Sequence, residues 1–598
     1  MKKISIIVLM LVVLMLCSCN NSNTSYDSNK VKVSIIDSDF YDASIKNELV
    51  SLNSNFKTVL TMRDGYVIES CNYADYDVKK IEDNKYELTF RNIEHPLGIK
   101  INCARKDGFN TYNEEFDATI IYDYNDGTDR YEKIDYHLSY HIRANTWTAT
   151  DLKRDGYVLN GWNTKSDLTG ERIGLGSRVS VNKDETLELY AHWVKCTDVS
   201  LFSYKLNVDE VTLTGYKGAG TEAYICLPEY IDGHEVVAVS NAFTTNIPCD
   251  KIKSKTLIIP NTITYIENYA FENSEFENIY FSDNLNFQSY KCFNYNIKHY
   301  FLNAYEEPRL QAKNYNVRFA DNIDLLIKYQ KEKKIILYGG CNFAYGIYSP
   351  MIEKAFSDYK VINCGLNGEF NSLFQMEIIE KYVNENDVFI HSPEQMNEYQ
   401  FMNRLLVDSR VFAMVEGNYD LLGVSDFSYT PFIIESYTDY NRLREKNDVC
   451  SYDDEAGMFN TYGDYLEDRD YFEATEQNRD VSYSEGWKYN PSILREDNIS
   501  LLGRKYNDIA AKGATVFFTE APMNENSYED GKVYEEAVVF QNKIKEVLNG
   551  YNVTIISNAT DYIFKGRYFF DTDYHLNYFG AELRTEKLIE DLKRAGVK

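Results

Sequence analysis

A chain of 598 residues is too long for one hydrophobic core, and at about 100 to 200 residues per domain it divides into about three to five folding units. With 44% apolar and 26% charged residues it belongs among folding chains, with disorder confined to short stretches. Its 92 acidic residues against 63 basic ones leave a formal net charge of −29, which repels phosphate backbones and argues against nucleic acid as a partner.

At the start of the chain, Lys2 and Lys3 precede an apolar run from Ile4 to Leu16 that is broken only by Ser5. The run is shorter than the ~20 residues of a membrane span and reads as a signal peptide over residues 1–18. Its end, Leu16, Cys17, Ser18 and Cys19, resembles a bacterial lipobox, which implies lipidation of Cys19. Residues 19–30 are polar and form a tether. The expected location is therefore outside the cell, on the outer face of a bacterial membrane, with the lipid as the only link to the bilayer. Nine cysteines follow Cys19, scattered and odd in number, without the paired short spacings of zinc sites or of a dense disulfide framework. No metal or other cofactor is expected.

Residues 31–105 alternate apolar and polar positions, as in Tyr86, Leu88, Phe90 and in Leu97, Ile99, Ile101, which predicts a small β-sandwich-like module. Residues 106–195 are also strand-rich. Their C-terminal part carries Gly156, Gly161, Trp162, Tyr190 and Trp193 and resembles the internalin-type B repeat, with the glycines at tight turns and the tryptophans as core plugs. In residues 196–320, LPEYIDGHEVVAVSNAF and IPNTITYIENYAF each run from Pro through aliphatics to Ala-Phe, and Phe243, Phe271 and Phe293 mark rungs 28 and 22 residues apart. These spacings suit leucine-rich repeats, and the segment resembles those of bacterial surface proteins, which serve as spacers or adhesive faces.

Near Ile323 the rhythm changes to strands followed by helices: KKIILYGG, YSPMIEKAFSDY, YKVINCGLNG, LFQMEIIEKYVNEN, DVFIHSPE and later ATVFFTEAP. That alternation predicts a parallel sheet with helices on both faces, a three-layer α/β domain over residues 321–598 long enough to bury its own core and carrying its chemistry at the strand C-termini. The whole chain is thus read as multi-domain, with small all-β modules and a short repeat array before the α/β domain. Gly339-Gly340-Cys341-Asn342 lies where the first strand turns into a helix, a place for a nucleophile as well as a steric need for glycine. Late in the chain, Asp571, Asp573 and His575 precede the last amphipathic helix, an imidazole beside carboxylates. Between them, residues 435–490 are rich in Tyr, Asp and Glu and read as a lid or a solvated insertion. His391, at the end of a buried strand, reads as structural.

This order of glycine turn, NCGLNG turn and acid–histidine loop resembles the SGNH (GDSL-type) hydrolase superfamily, over about residues 325–598, and implies a flavodoxin-like sheet. By that resemblance Cys341 stands in the place of the nucleophilic Ser, Gly365 and an Asn supply the oxyanion hole, and His575 is the base. The Asn is Asn367 or Asn418. The family's acid would fall at Thr572, so Asp571, one residue earlier, or Asp573, one later, would orient the imidazole, and Asp571 is favoured. The resemblance implies a carbohydrate esterase or O-acyltransferase acting on acylated extracellular polysaccharide, with protein or matrix ligands for the repeats. The rival reading is a non-catalytic surface binding protein with a degenerate domain of this kind.

Overall fold

The computed structural model describes residues 29–38, 40–105, 116–138, 143–181, 185–245, 247–294, 297–305, 318–366, 372–394, 412, 414–424, 430–446, 459–465, 489, 491–528, 531–569, 572 and 574–598. The signal-peptide and lipidation readings, Cys19 included, lie outside these residues. The chain is a mixed α/β protein with many small sheets and divides into two compact units, 1–108 and 109–598.

Among the described residues, the first unit is built of β-strands. A three-stranded sheet is centred on Lys30–Ile35, a four-stranded one on Ser54–Met62 and Lys85–Ile93, and Tyr66–Cys71 pairs with Ile101–Arg105. Alternation does the work here: Phe56, Leu60, Leu88, Phe90 and Ile99 point inward and are buried, while their sequence neighbours face outward.

The second unit opens with a five-stranded sheet in the order Tyr131–Leu138, Phe116–Asp123, Thr186–Lys195, Tyr157–Asn163, Arg172–Ile173. Trp162 is fully buried against Tyr122 and Trp147, with ring centroids 4.6 and 5.9 Å away, and its indole N–H donates to the Trp147 carbonyl at 2.8 Å. Trp193 likewise donates to the Tyr124 carbonyl at 2.7 Å, so both tryptophans plug the core with their polar edge satisfied. Gly161 has φ 110 at a bulge in the pairing of its strand, a backbone conformation that suits glycine.

Residues 202–304 then build two parallel ladders side by side. One runs through Glu210–Tyr216, His234–Val239, Tyr265–Ile266 and Asn286–Phe287, the other through Ile225–Cys226, Thr256–Ile258, Asn278–Ser282 and His299–Asn303. Phe243, Phe271 and Phe293 stack in one column, 5.5 and 5.1 Å apart, because each repeat buries its apolar face only against its neighbours.

Elements of the α/β part are labelled α1 (Arg318–Lys328), β1 (Lys334–Gly339), α2 (Cys341–Gly346), α3 (Ser349–Ala355), β2 (Lys360–Asn363), α4 (Ser372–Glu380), β3 (Val388–Ser392), α5 (Thr430–Lys446), α6 (Glu496–Ala511), β4 (Thr515–Phe518), α7 (Val533–Leu548), β5 (Thr554–Ile555) and α8 (Tyr578–Arg594). The five strands form a parallel sheet in the order β2-β1-β3-β4-β5. Its strands are apolar on both faces, as a sheet covered on both sides requires. Ile335, Leu337, Val388 and Ile390 pack on α3 and α8 through Ile352, Leu588 and Leu592. Ile336, Tyr338, Ile362 and Phe389 share the other core with α1, α4, α6 and α7.

The expected boundary near Ile323 falls inside α1 rather than in a linker. Asp324 of α1 pairs with Arg143 and Arg178 of the preceding β module at 3.0 Å each, and all three side chains are at most 10% exposed. The apolar core that begins at Phe202 in the repeats continues without a break into the α/β part. Residues 435–446, read as the start of a lid or insertion, belong to α5, which lies on the repeats: Tyr437 packs edge-on against Phe281 at 5.3 Å and Arg444 pairs with Asp283 at 3.0 Å. Residues 459–465 of the same stretch pack beside β2, where Asn363 N–H donates to the Tyr462 carbonyl at 2.7 Å.

Candidate functional site

In the order β2-β1-β3 the chain reverses direction across the sheet, and the crevice beyond the C-terminal ends of such strands is where α/β sheets place ligands. Cys341 sits there, as the first residue of α2, directly after β1 and the Gly339-Gly340 turn. A Cβ at 340 would overlap the carboxyl group of Glu394, which arrives from just past β3, so a larger residue there would displace that carboxylate.

His575 precedes α8, whose N-terminus is capped by the Asn577 side chain accepting from Gly580 N–H at 2.9 Å. Its ring lies flat on Tyr345, with centroids 3.9 Å apart and planes 5° from parallel, and Tyr465 packs on Tyr345 at 4.2 Å. Tyr345 is four residues after Cys341 on α2, one turn along the same face. The imidazole thus docks on the short helix that carries the thiol, and both residues are half-buried rather than sealed from solvent. Thr572, at the position where the resemblance would put an acid, uses its hydroxyl to accept the backbone N–H groups of Tyr574 and His575 at 3.2 and 3.0 Å. Asp571 and Asp573 lie outside the described residues, as does Asn367.

The two remaining oxyanion candidates have other engagements. Gly365 N–H donates to the Asn363 side-chain oxygen at 3.0 Å, and a Cβ at 365 would come within 2.6 Å of Ala344 N, so glycine serves the close approach of the β2 turn to α2. Asn418 is buried and its side-chain oxygen accepts from Arg143 at 3.4 Å, across the contact with the preceding β module. His391 is fully buried, bonded to the Tyr506 hydroxyl at 2.7 Å and stacked near Tyr338, on the sheet face away from α8.

A buried polar cluster under the nucleophile turn escaped the sequence reading. The Glu394 carboxylate lies 3.1 Å from the Cys341 sulfur and accepts Asn342 N–H at 2.9 Å. Arg584 of α8, 1% exposed, donates to the Asn342 carbonyl at 2.6 Å, to the Asn342 side-chain oxygen at 2.8 Å and to the Ser392 hydroxyl at 3.0 Å. Burial pushes its guanidinium down to about 9, against the opposing pull of Tyr562 and Glu394, and leaves it charged at neutral pH. Deeper still, Asp464 receives Ser349 N–H and hydroxyl and the Asn363 amide, and burial raises its carboxyl above the ordinary range in spite of these bonds. Two signals pointed this way. Glu394 is a carboxylate just past an apolar parallel strand, and Arg584 is a cation on the stripe that carries Ala581 and Leu588. Among the described residues, no group of three or more His, Cys, Asp or Glu side chains is arranged to hold a metal ion.

No family model matches the chain, and no curated protein matches it. Among solved structures, it is similar to a T. pallidum leucine-rich repeat protein, 24% identical over 18% of this chain and 50% of that one, with a TM-score of 0.15. It is also similar to the protein YXIM of Bacillus subtilis, 11% identical over 44% of this chain and 57% of that one, with a TM-score of 0.22. The match therefore spans only about half the length of either structure, and at these scores neither likeness bears on activity.

Proposed function

We propose that this is an exported, lipid-anchored cell-surface protein whose α/β domain hydrolyses or transfers O-acyl groups, acetyl foremost, on an extracellular glycan. The observation that carries the reading is the docking of His575 on the one short helix that Cys341 begins, at the strand-order reversal of a parallel sheet. In the proposed reaction the imidazole takes the thiol proton and the sulfur attacks the ester carbonyl. The tetrahedral intermediate collapses to a thioester, and the departing sugar alkoxide takes the proton back from His575. Water or a second sugar hydroxyl, deprotonated by the same imidazole, then cleaves the thioester and restores the thiol. Backbone N–H of Cys341 is the proposed oxyanion donor; Gly365 N–H serves only if it releases Asn363.

The second reading, a non-catalytic surface binding protein, draws support from the Glu394 carboxylate on the thiol and from the internal engagement of Gly365 N–H. One experiment separates them: hydrolysis of p-nitrophenyl acetate by the mature chain beside Cys341→Ala and His575→Ala. The esterase reading expects a loss of at least about a hundredfold in both variants, in line with removal of a nucleophile or its base. Wild-type hydrolysis no faster than Cys341→Ala would favour the binding protein.

A further inference from the structure

The Cys341 thiol does not face the crevice alone. From the end of β3, Glu394 places a carboxylate oxygen 3.1 Å from its sulfur, and the same oxygen accepts Asn342 N–H at 2.9 Å. The Glu394 side chain is 1% exposed, so water does little to screen its charge. Among the described residues, the other titratable groups on the elements that meet here are Arg584 from α8, held against Asn342 and Ser392, His575 from the loop before α8, Tyr345 on α2 itself and Tyr465 beside it. Asp571 and Asp573 of that loop lie outside the described residues.

A thiol and a carboxylate in contact share one proton. In water the thiol holds it roughly ten-thousandfold better than a glutamate does, from ordinary pKa values of about 8.5 and 4.3. A backbone N–H donor and the nearby charge of the buried Arg584 guanidinium favour the Glu394 anion, and burial, which opposes that anion, opposes the thiolate in the same place, so the proton stays on sulfur. A thiolate next to this anion would be repelled by it. We infer that Glu394 is a positioning residue that holds Cys341 as a neutral, oriented thiol, and that the sulfur ionises only when its proton is drawn toward another base. The bond fixes the side-chain rotamer, and the charge suppresses the thiolate at rest. This goes beyond the proposed reaction, because it concerns the proton of Cys341 whether or not an ester is turned over.

The test is the rate of Cys341 alkylation by iodoacetamide across pH, read by peptide mass spectrometry on the full mature chain, with no ester present. Glu394→Gln keeps an acceptor oxygen and removes the charge. The expected result is at least about a tenfold faster alkylation of Cys341 in Glu394→Gln at pH 7, one unit of thiol pKa. Cys364, fully buried and with its thiol pushed up by burial, should stay slow in both proteins and serves as the internal reference. Unchanged or slower alkylation in the variant overturns the inference. If Glu394→Gln fails to fold, the wild-type profile decides by itself: a midpoint above about 8.5 supports it, and one at or below that value overturns it.

Discussion

In the strand Thr186–Lys195, His192 is half-buried, and burial first, then the nearby charge of Arg172, push its imidazole down to about 4. The unfolded chain, with an ordinary histidine near 6.5, binds a proton between those two values that the folded chain does not. Stability from this residue is therefore complete above about 6.5 and is lost as the pH falls through about 4. Thermal unfolding at pH 7.5 and 4.5 should show a larger drop for the wild type than for His192→Gln, and equal drops would mean that the imidazole is not held neutral. The same logic of burial explains the cluster under Cys341. Arg584 is tolerated there because three oxygens receive its N–H groups, and removing it would strand the Asn342 and Ser392 oxygens and the Glu394 charge together.

Elements are held in this chain by stacking rather than by isolated stability. Strands of two or three residues, such as Tyr265–Ile266 and Thr256–Ile258, survive only because parallel neighbours complete their ladders and because the phenylalanine column fills the space between. Phe271 touches that column above and below and also meets Phe276 at 5.9 Å. Phe271→Ala should lower the unfolding free energy by about 3 to 5 kcal/mol in urea titration, the range for a large buried aromatic cut to alanine. A loss below about 1 kcal/mol would show that the repeats close over the gap without strain. Helix α2, with six residues, is equally dependent: it keeps its place because Arg584 grips its first turn and Gly365 lets the β2 turn approach it closely.

Across the whole molecule, the second unit is tied together by buried ion pairs that join the α/β part to the β module and to the repeats before it. A fragment starting at Asp321 would leave Asp321 and Asp324 without Arg178 and Arg143, Arg444 without Asp283, and Tyr437 without Phe281. Breaking a buried pair by removing one partner costs about 3 to 5 kcal/mol, and several are broken at once. We expect the fragment 321–598 to aggregate or to melt without cooperativity, and the fragment 109–598 to melt in one sharp transition by calorimetry. A sharp, reversible transition in the shorter fragment would make the α/β domain independent after all.

What could be read from the chain itself was whatever burial writes locally. Period-two alternation marked the strands of the first unit, the Ala-Phe spacing marked the stacked column, and the strand–helix rhythm marked the parallel sheet with Cys341 at its first turn and His575 before its last helix. Each of these follows from side chains a few residues apart that face the same core. Tertiary structure alone decided which distant groups meet. Glu394 reaches Cys341 across 53 residues because β3 lies beside β1, and Arg584 reaches Asn342 across 242 because α8 covers the same face as α2. It likewise turned Asn418 toward Arg143, engaged Gly365 N–H with Asn363 and laid α5 on the repeats. Such contacts depend on strand order and helix docking, which global packing sets and no short window of sequence records.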